Sequence, residues 1–162
     1  MLSENLQSAF NNQINAEIYS SYLYYSIANF YEEKGLHGFA SWFKAQAKEE
    51  LEHADKFSTY LHDQNAKVIL KDVPKPKAEF ADFKEPLTLQ LAHEKKVTSA
   101  IFNLYSAAKE EKDYFTESFV KTFIDEQFEE EKTAQDLLTR YEIFCLNSKD
   151  IYEFSEKLGE RK

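Results

Sequence analysis

Residues 39–60 read FASWFKAQAKEELEHADKFSTY. Within this stretch Phe39, Phe43, Gln46, Glu50, His53, Phe57 and Tyr60 follow one another at steps of three or four. That is the spacing of one face of an α-helix. The face is apolar at both ends and polar in the middle. Glu50 and His53 therefore stand where a helix buries its core side chains. A core stripe that carries a carboxylate and an imidazole needs a reason to be polar, and that reason bears on both fold and chemistry.

The same spacing recurs in three other segments. One runs Phe10, Ile14, Glu17, Ser21, Tyr24, Ala28, Tyr31; another Leu87, Gln90, Glu94, Val97, Ile101, Leu104, Ala108. The last runs Val120, Phe123, Gln127, Glu130, Ala134, Leu137, Tyr141, Phe144. Adding 77 to Glu17, Glu50 and His53 gives Glu94, Gln127 and Glu130 (17+77=94, 50+77=127, 53+77=130). Five of these six residues are of types that bind metal ions, and the sixth, Gln127, can hydrogen-bond to a bound ligand. All six lie inside the stripes. The repeat points to one site built from two matching halves.

Turn signals divide the chain into helices over about 4–34, 38–64, 86–112 and 114–145, with a short fifth over 149–158. Gly35 and Gly38 mark the first break, Asp113 is an expected N-cap, and Pro86 suits a first helical turn. Glu17 and His53 are each 18 residues from Gly35, and Glu94 and Glu130 are each 18 from Lys112 (35−17, 53−35, 112−94, 130−112). In an antiparallel hairpin, residues equidistant from the turn lie at one height. Helices of about 28 residues are roughly 42 Å long, so these residues fall mid-bundle. The connection at 65–85 contains Pro74 and Pro76 and is long for a compact domain. About 20 extended residues reach roughly 60 Å, enough to cross the whole bundle. The expected fold is all-α: a four-helix bundle of antiparallel hairpins, a long crossover joining parallel second and third helices, and a short C-terminal fifth helix, as one domain over 1–162.

The totals agree. The chain has 162 residues, 3 Gly, 3 Pro and a net charge of −9. An acidic balance argues against nucleic acid as the main partner and is compatible with cations. A single cysteine, Cys145, leaves no intrachain disulfide and no cysteine-based zinc site. No stretch reaches the roughly 18 apolar residues of a membrane span. The N-terminus lacks the basic and apolar regions of a leader, so a cytoplasmic protein is expected.

Four carboxylates, Glu17, Glu50, Glu94 and Glu130, would be costly to bury together unless cations compensate them. Two divalent ions match their charge. Oxygen ligands with one imidazole suit iron or manganese and leave coordination positions open. The spacing suggests a tighter metal position at Glu17, Glu50 and His53 and a looser one at Glu50, Glu94 and Glu130, bridged by Glu50. Glu126, Glu129 and Glu130, with Glu49 beside Glu50, are either a third metal position or a solvated acidic face. Tyr24, two turns from Glu17, is either an ordinary core aromatic or a donor of an electron or hydrogen bond to the centre.

These residues resemble the ferritins, specifically the non-haem bacterial type. The resemblance rests on Asn15-Ala16-Glu17-Ile18-Tyr19, Glu49-Glu50-Leu51-Glu52-His53-Ala54, His93-Glu94 and Asp125-Glu126-Gln127-Phe128-Glu129-Glu130-Glu131, and spans essentially the whole chain. It implies a ferroxidase centre in which Glu17, Glu50 and His53 hold one iron and Glu94 and Glu130 the other. Gln127 would neighbour the second iron, and Tyr24 would stand beside the centre. It also implies a third iron site at Glu49, Glu126, Glu129 and Glu130, and a cage of 24 subunits with the fifth helix near the four-fold axes. Haem-binding bacterioferritins use a methionine that this chain lacks: its only methionine is Met1, and position 52 is Glu52. No haem is therefore expected. Rubrerythrins need paired cysteines, and the DNA-binding mini-ferritins build their centre between subunits.

The expected function is oxidation of Fe(II) to Fe(III) by oxygen or hydrogen peroxide, with storage of the product as mineral inside the cage. The alternatives are a di-iron peroxidase or oxygen-defence protein that stores nothing, and a purely structural bundle.

Overall fold

The computed structural model describes residues 1–160; the last two positions of the expected 1–162 domain, Arg161 and Lys162, lie outside the described residues. Helix α1 spans Glu4–Glu33, α2 His37–Asp63, α3 Glu85–Glu110, α4 Tyr114–Phe144 and α5 Ser148–Leu158, with no strand among the described residues. The starts are chemically marked. Ser3 Oγ accepts from the Leu6 N–H at 3.1 Å, Asp113 from Thr116 at 3.1 Å and Asn147 from Asp150 at 3.0 Å. Pro86 stands in the first turn of α3.

The first three helices end alike. In each, the residue after the cap adopts a left-handed conformation: Gly35 at φ 75°, Asn65 at φ 56° and Lys112 at φ 55°. The following N–H then bonds back to the helix, Leu36 to Tyr31, Ala66 to Leu61 and Asp113 to Ala108, at 2.8–3.0 Å. This is the Schellman closure that satisfies the last carbonyls. Gly35 and Lys112 are the two residues about which the sequence equidistance was counted.

Gly38, expected at the start of the second helix, lies in the first turn of α2. Its role is close approach, because a Cβ there would overlap the Ser155 carbonyl of α5. Leu36 offers α2 no side-chain cap. Ser155 Oγ of α5 instead accepts the N–H groups of Gly38 and Phe39 at 3.1 and 3.2 Å. The fifth helix thus caps the second.

The crossover at 64–84 lies along α1. Asn11 accepts from Ile69 N–H at 2.6 Å and donates to the Lys67 carbonyl at 2.9 Å. Asn15 repeats the pattern with Lys71 and Ile69 at 2.8 Å each. Farther on, Ser26 donates to Lys77 O at 2.8 Å and Tyr31 to Phe83 O at 2.7 Å. The segment therefore ascends beside α1 and delivers α3 to the end of the bundle where α2 began. Helices α2 and α3 run parallel, as expected.

Apolar burial forms two clusters. One, at the Gly35 end, includes Leu23, Ile27, Tyr31, Phe39, Phe43, Leu87 and Leu137. The other includes Leu6, Phe10, Ile14, Phe57, Ile101, Val120 and Phe123. Between them lies a layer of buried polar residues: Glu17, Gln46, Glu50, His53, Gln90, Glu94 and Gln127.

Candidate metal centre

Each helix of the bundle supplies that layer from its inward stripe. Glu17 is 1% exposed, Glu50 2%, Glu94 1% and Gln127 3%. Glu130 is half-buried. Two groups of ligand-type atoms converge. Glu17, Glu50 and His53 form one and Glu50, Glu94 and Glu130 the other, the atoms of each lying within 4.8 Å of one another. Glu50 belongs to both.

Three carboxylates in a dry layer repel one another and resist ionisation. Burial, then the neighbouring Glu50 carboxylate, pushes Glu17 well above the usual carboxylate range. Burial also raises Glu50, with the neighbouring His53 and Glu17 opposing the rise. Burial lifts Glu94 to about 7, with Glu130 adding to the rise and the Tyr24 and Gln127 bonds opposing it. Burial alone would lower His53, but Glu126, Glu50 and Glu17 outweigh it and lift the imidazole to about 11. The neighbouring carboxylates thus favour the protonated form of the imidazole. A metal ion entering there displaces that proton.

The hydrogen bonds orient each carboxylate. Gln13 Nε2 donates to Glu17 Oε1 at 2.6 Å, which leaves Glu17 Oε2 without a hydrogen-bond partner, 3.9 Å from His53 Nδ1. His53 Nδ1 lies 3.3 Å from Glu50 Oε2. Gln46 Nε2 donates to Glu130 Oε2 at 3.1 Å. The Tyr24 hydroxyl donates to Glu94 Oε1, and Gln127 Nε2 donates to Glu94 Oε2 at 3.1 Å. Gln127 also reaches Thr98 Oγ1 at 3.2 Å. An orphaned buried carboxylate oxygen, next to a second carboxylate and an imidazole, fits a divalent cation of oxygen and nitrogen preference.

All six repeated residues meet here. Tyr24, which the sequence left between core aromatic and donor, is both: it is fully buried and bonded to Glu94. The acidic residues suggested as a third position are not gathered in the same way. Glu126 pairs with His53 Nε2 at 3.1 Å and Lys56 Nζ at 3.1 Å, which hold its carboxyl down to about 2. Glu129 is exposed and lies 3.9 Å from Lys132; Glu49 is half-buried. Sequence reasoning passed over the glutamines. Gln13, Gln46 and Gln90 each stand four residues before a layer carboxylate, Glu17, Glu50 and Glu94. Glutamine at a core position one turn from a buried glutamate was the available signal. His93 contacts Ser20 Oγ at 2.7 Å and is held down to about 4 by burial and Lys96.

The ferritin-like domain family matches residues 7–144. The chain is 35% identical over 161 residues to a bacterial non-heme ferritin of Staphylococcus aureus, covering 99% of this chain and 97% of the relative. It is 38% identical over 164 residues to the Staphylococcus epidermidis protein of the same name, with the same coverage. Among solved structures, an open pore ferritin of the hyperthermophilic archaeon Archaeoglobus fulgidus superposes with a TM-score of 0.97 at 34% identity, over 100% of both chains. A humanized archaeal ferritin gives the same TM-score and identity over 100% of this chain and 98% of its own. With its bundle, crossover and buried carboxylate layer, this chain belongs to the ferritin-like family.

Proposed function

We propose that this chain is an iron-storing ferroxidase acting as a single domain over residues 1–162. The observation that carries the reading is the pair of ligand groups sharing Glu50, buried between two apolar clusters. Iron is the substrate. One Fe(II) binds Glu17, Glu50 and His53, and the other Glu50, Glu94 and Glu130. Glu50 spans both, holding the ions close enough to deliver two electrons together. Oxygen or hydrogen peroxide accepts one electron from each ion. Gln127 and Tyr24 orient Glu94 at the second position. The protein fixes ligand number, geometry and vacancy, and the metal supplies the redox chemistry.

The first position is the firmer one, because all three of its ligands are buried. The second relies on the half-exposed Glu130 and suits release of Fe(III). Glu49, Glu126, Glu129 and Glu130 make a third iron position once Glu126 leaves His53 and Lys56. Released Fe(III) hydrolyses and mineralises inside a cytoplasmic cage of 24 copies, without haem.

The test is an aerobic Fe(II) titration of metal-free protein, followed by size-exclusion chromatography with iron and protein measured in one peak. Rapid oxidation with far more than three irons per subunit in a very large particle supports storage. Two irons per chain in a small oligomer would leave a di-iron oxygen-defence protein instead. His53→Ala should slow oxidation strongly and leave the assembly intact; wild-type rates in that variant would refute the assignment of the first position.

A further inference from the structure

Gln90 is 1% exposed, and neither its amide nitrogen nor its amide oxygen has a hydrogen-bond partner. A buried polar group left unpaired costs roughly 1–3 kcal/mol. Leucine would fill a similar space without that cost, so the amide needs an explanation. Its position offers one. Gln90 stands four residues before Glu94 on the same face of α3, and it is the repeat counterpart of Gln13 (13+77=90). In the first half the corresponding pair is closed, with Gln13 Nε2 on Glu17 Oε1 at 2.6 Å. That bond leaves the other Glu17 oxygen aimed at the site. In the second half the pair is open, because Glu94 already holds Tyr24 on one oxygen and Gln127 on the other.

We infer that Gln90 is a positioning residue of the second cation position, taking an oxygen of Glu94 when that carboxylate turns from its present donors to ligate a divalent cation. The inference rests on the two-metal reading above. A cation between Glu50, Glu94 and Glu130 draws Glu94 toward itself and strains its bonds to Tyr24 and Gln127. The oxygen that loses its donor lies one helical turn from Gln90, a separation that the Gln13–Glu17 pair already bridges. Gln90 then does for Glu94 what Gln13 does for Glu17. The two positions differ in timing. The first carboxylate is held before metal arrives, and the second exchanges partners as metal binds.

The experiment is a calorimetric titration of the assembled, metal-free protein with Co(II), followed also by the visible absorption of the bound ion. Wild type takes two Co(II) per chain in two steps. Gln90→Leu should weaken the second step on the order of tenfold, the effect of removing an outer partner of a ligating side chain. The first step should stay unchanged, and the metal-free thermal midpoint should not fall. Gln13→Leu should weaken the first step instead. Gln90→Asn keeps the amide but shortens its reach; it should lose the second step as Gln90→Leu does, and it serves if the leucine variant misfolds. A wild-type second step in either Gln90 variant that folds, or equal weakening of both steps, overturns the inference. Fewer than two Co(II) per wild-type chain would overturn the two-metal reading itself, and this inference with it.

Discussion

At the scale of residues, the centre is a set of protonation states held in tension. In the folded metal-free chain Glu94 keeps its proton up to about 7, against an ordinary value of 4.5. Between those values the native chain binds a proton that the unfolded chain has released, so stability falls as pH rises. Glu17 and Glu50 are raised and act in the same sense. His53 extends the trend, since it keeps its proton to about 11 while an unfolded histidine releases it near 6.5. His93 opposes it between about 4 and 6.5, being neutral in the fold while the unfolded residue is charged. Three carboxylates outweigh that single imidazole. Glu126, held to about 2, acts only at more acidic pH. The metal-free protein should therefore melt at a higher temperature near pH 5 than near pH 7. A saturating divalent cation should reverse the order, because binding requires those protons to leave. Equal midpoints with and without metal at both pH values would contradict this account. Tyr24→Phe removes one of the two donors to the Glu94 carboxylate. It should cost about 1–2 kcal/mol in the metal-free protein, read as a lower midpoint with an unchanged helical spectrum.

At the scale of elements, the helix ends carry information that the stripes do not. Lys112 adopts a left-handed conformation to close α3, where glycine serves after α1. A side chain in that region costs roughly 1–2 kcal/mol, partly offset by the greater freedom glycine has when unfolded. Lys112→Gly should raise the thermal midpoint slightly; a clear fall would show that the lysine side chain has another task. The contact between α5 and α2 is more demanding. Ser155→Ala strands two N–H groups at the start of α2 and should cost about 1–2 kcal/mol. Gly38→Ala drives a methyl into the Ser155 backbone and should dislodge α5 altogether. Limited proteolysis reads this: cleavage after residue 145 should appear in Gly38→Ala and not in wild type.

At the scale of the whole molecule, the bundle is two apolar cores with a polar layer between them. Such a layer weakens a monomer unless something compensates its charge. The chain also leaves Tyr114, Phe115, Leu146 and Phe128 exposed by two thirds or more. Single exposed apolar residues are ordinary, but the adjacent pair Tyr114 and Phe115 at the start of α4 suits a contact with another subunit. If the proposed cage forms, a charge at Phe115 should shift the size-exclusion peak toward small species while leaving the helical spectrum intact. An unshifted peak would place Phe115 outside the contacts that hold the assembly.

The sequence by itself determined where the six repeated residues of the polar layer lie and at what height. Helical period fixes the face of Glu17, Glu50, His53, Glu94, Gln127 and Glu130, and distance from Gly35 or Lys112 fixes their level. Both are local properties of a chain that makes long helices. The length of the 65–85 connection was enough to require a crossover, and Asp113 announced the start of α4 through its own short-range bond. Tertiary structure alone decided the partners. Glu126 meets His53 across helices, Tyr24 meets Glu94, and Ser155 caps a helix more than a hundred residues earlier. Such pairings depend on the rotation and separation of packed helices, set by the volumes of all the side chains between them. No spacing within one helix encodes that sum. For the same reason the third acidic group was legible only as a possibility: Glu126, Glu129 and Glu130 share a helix face, yet Glu126 turns to His53 and Lys56 and Glu129 stays in solvent.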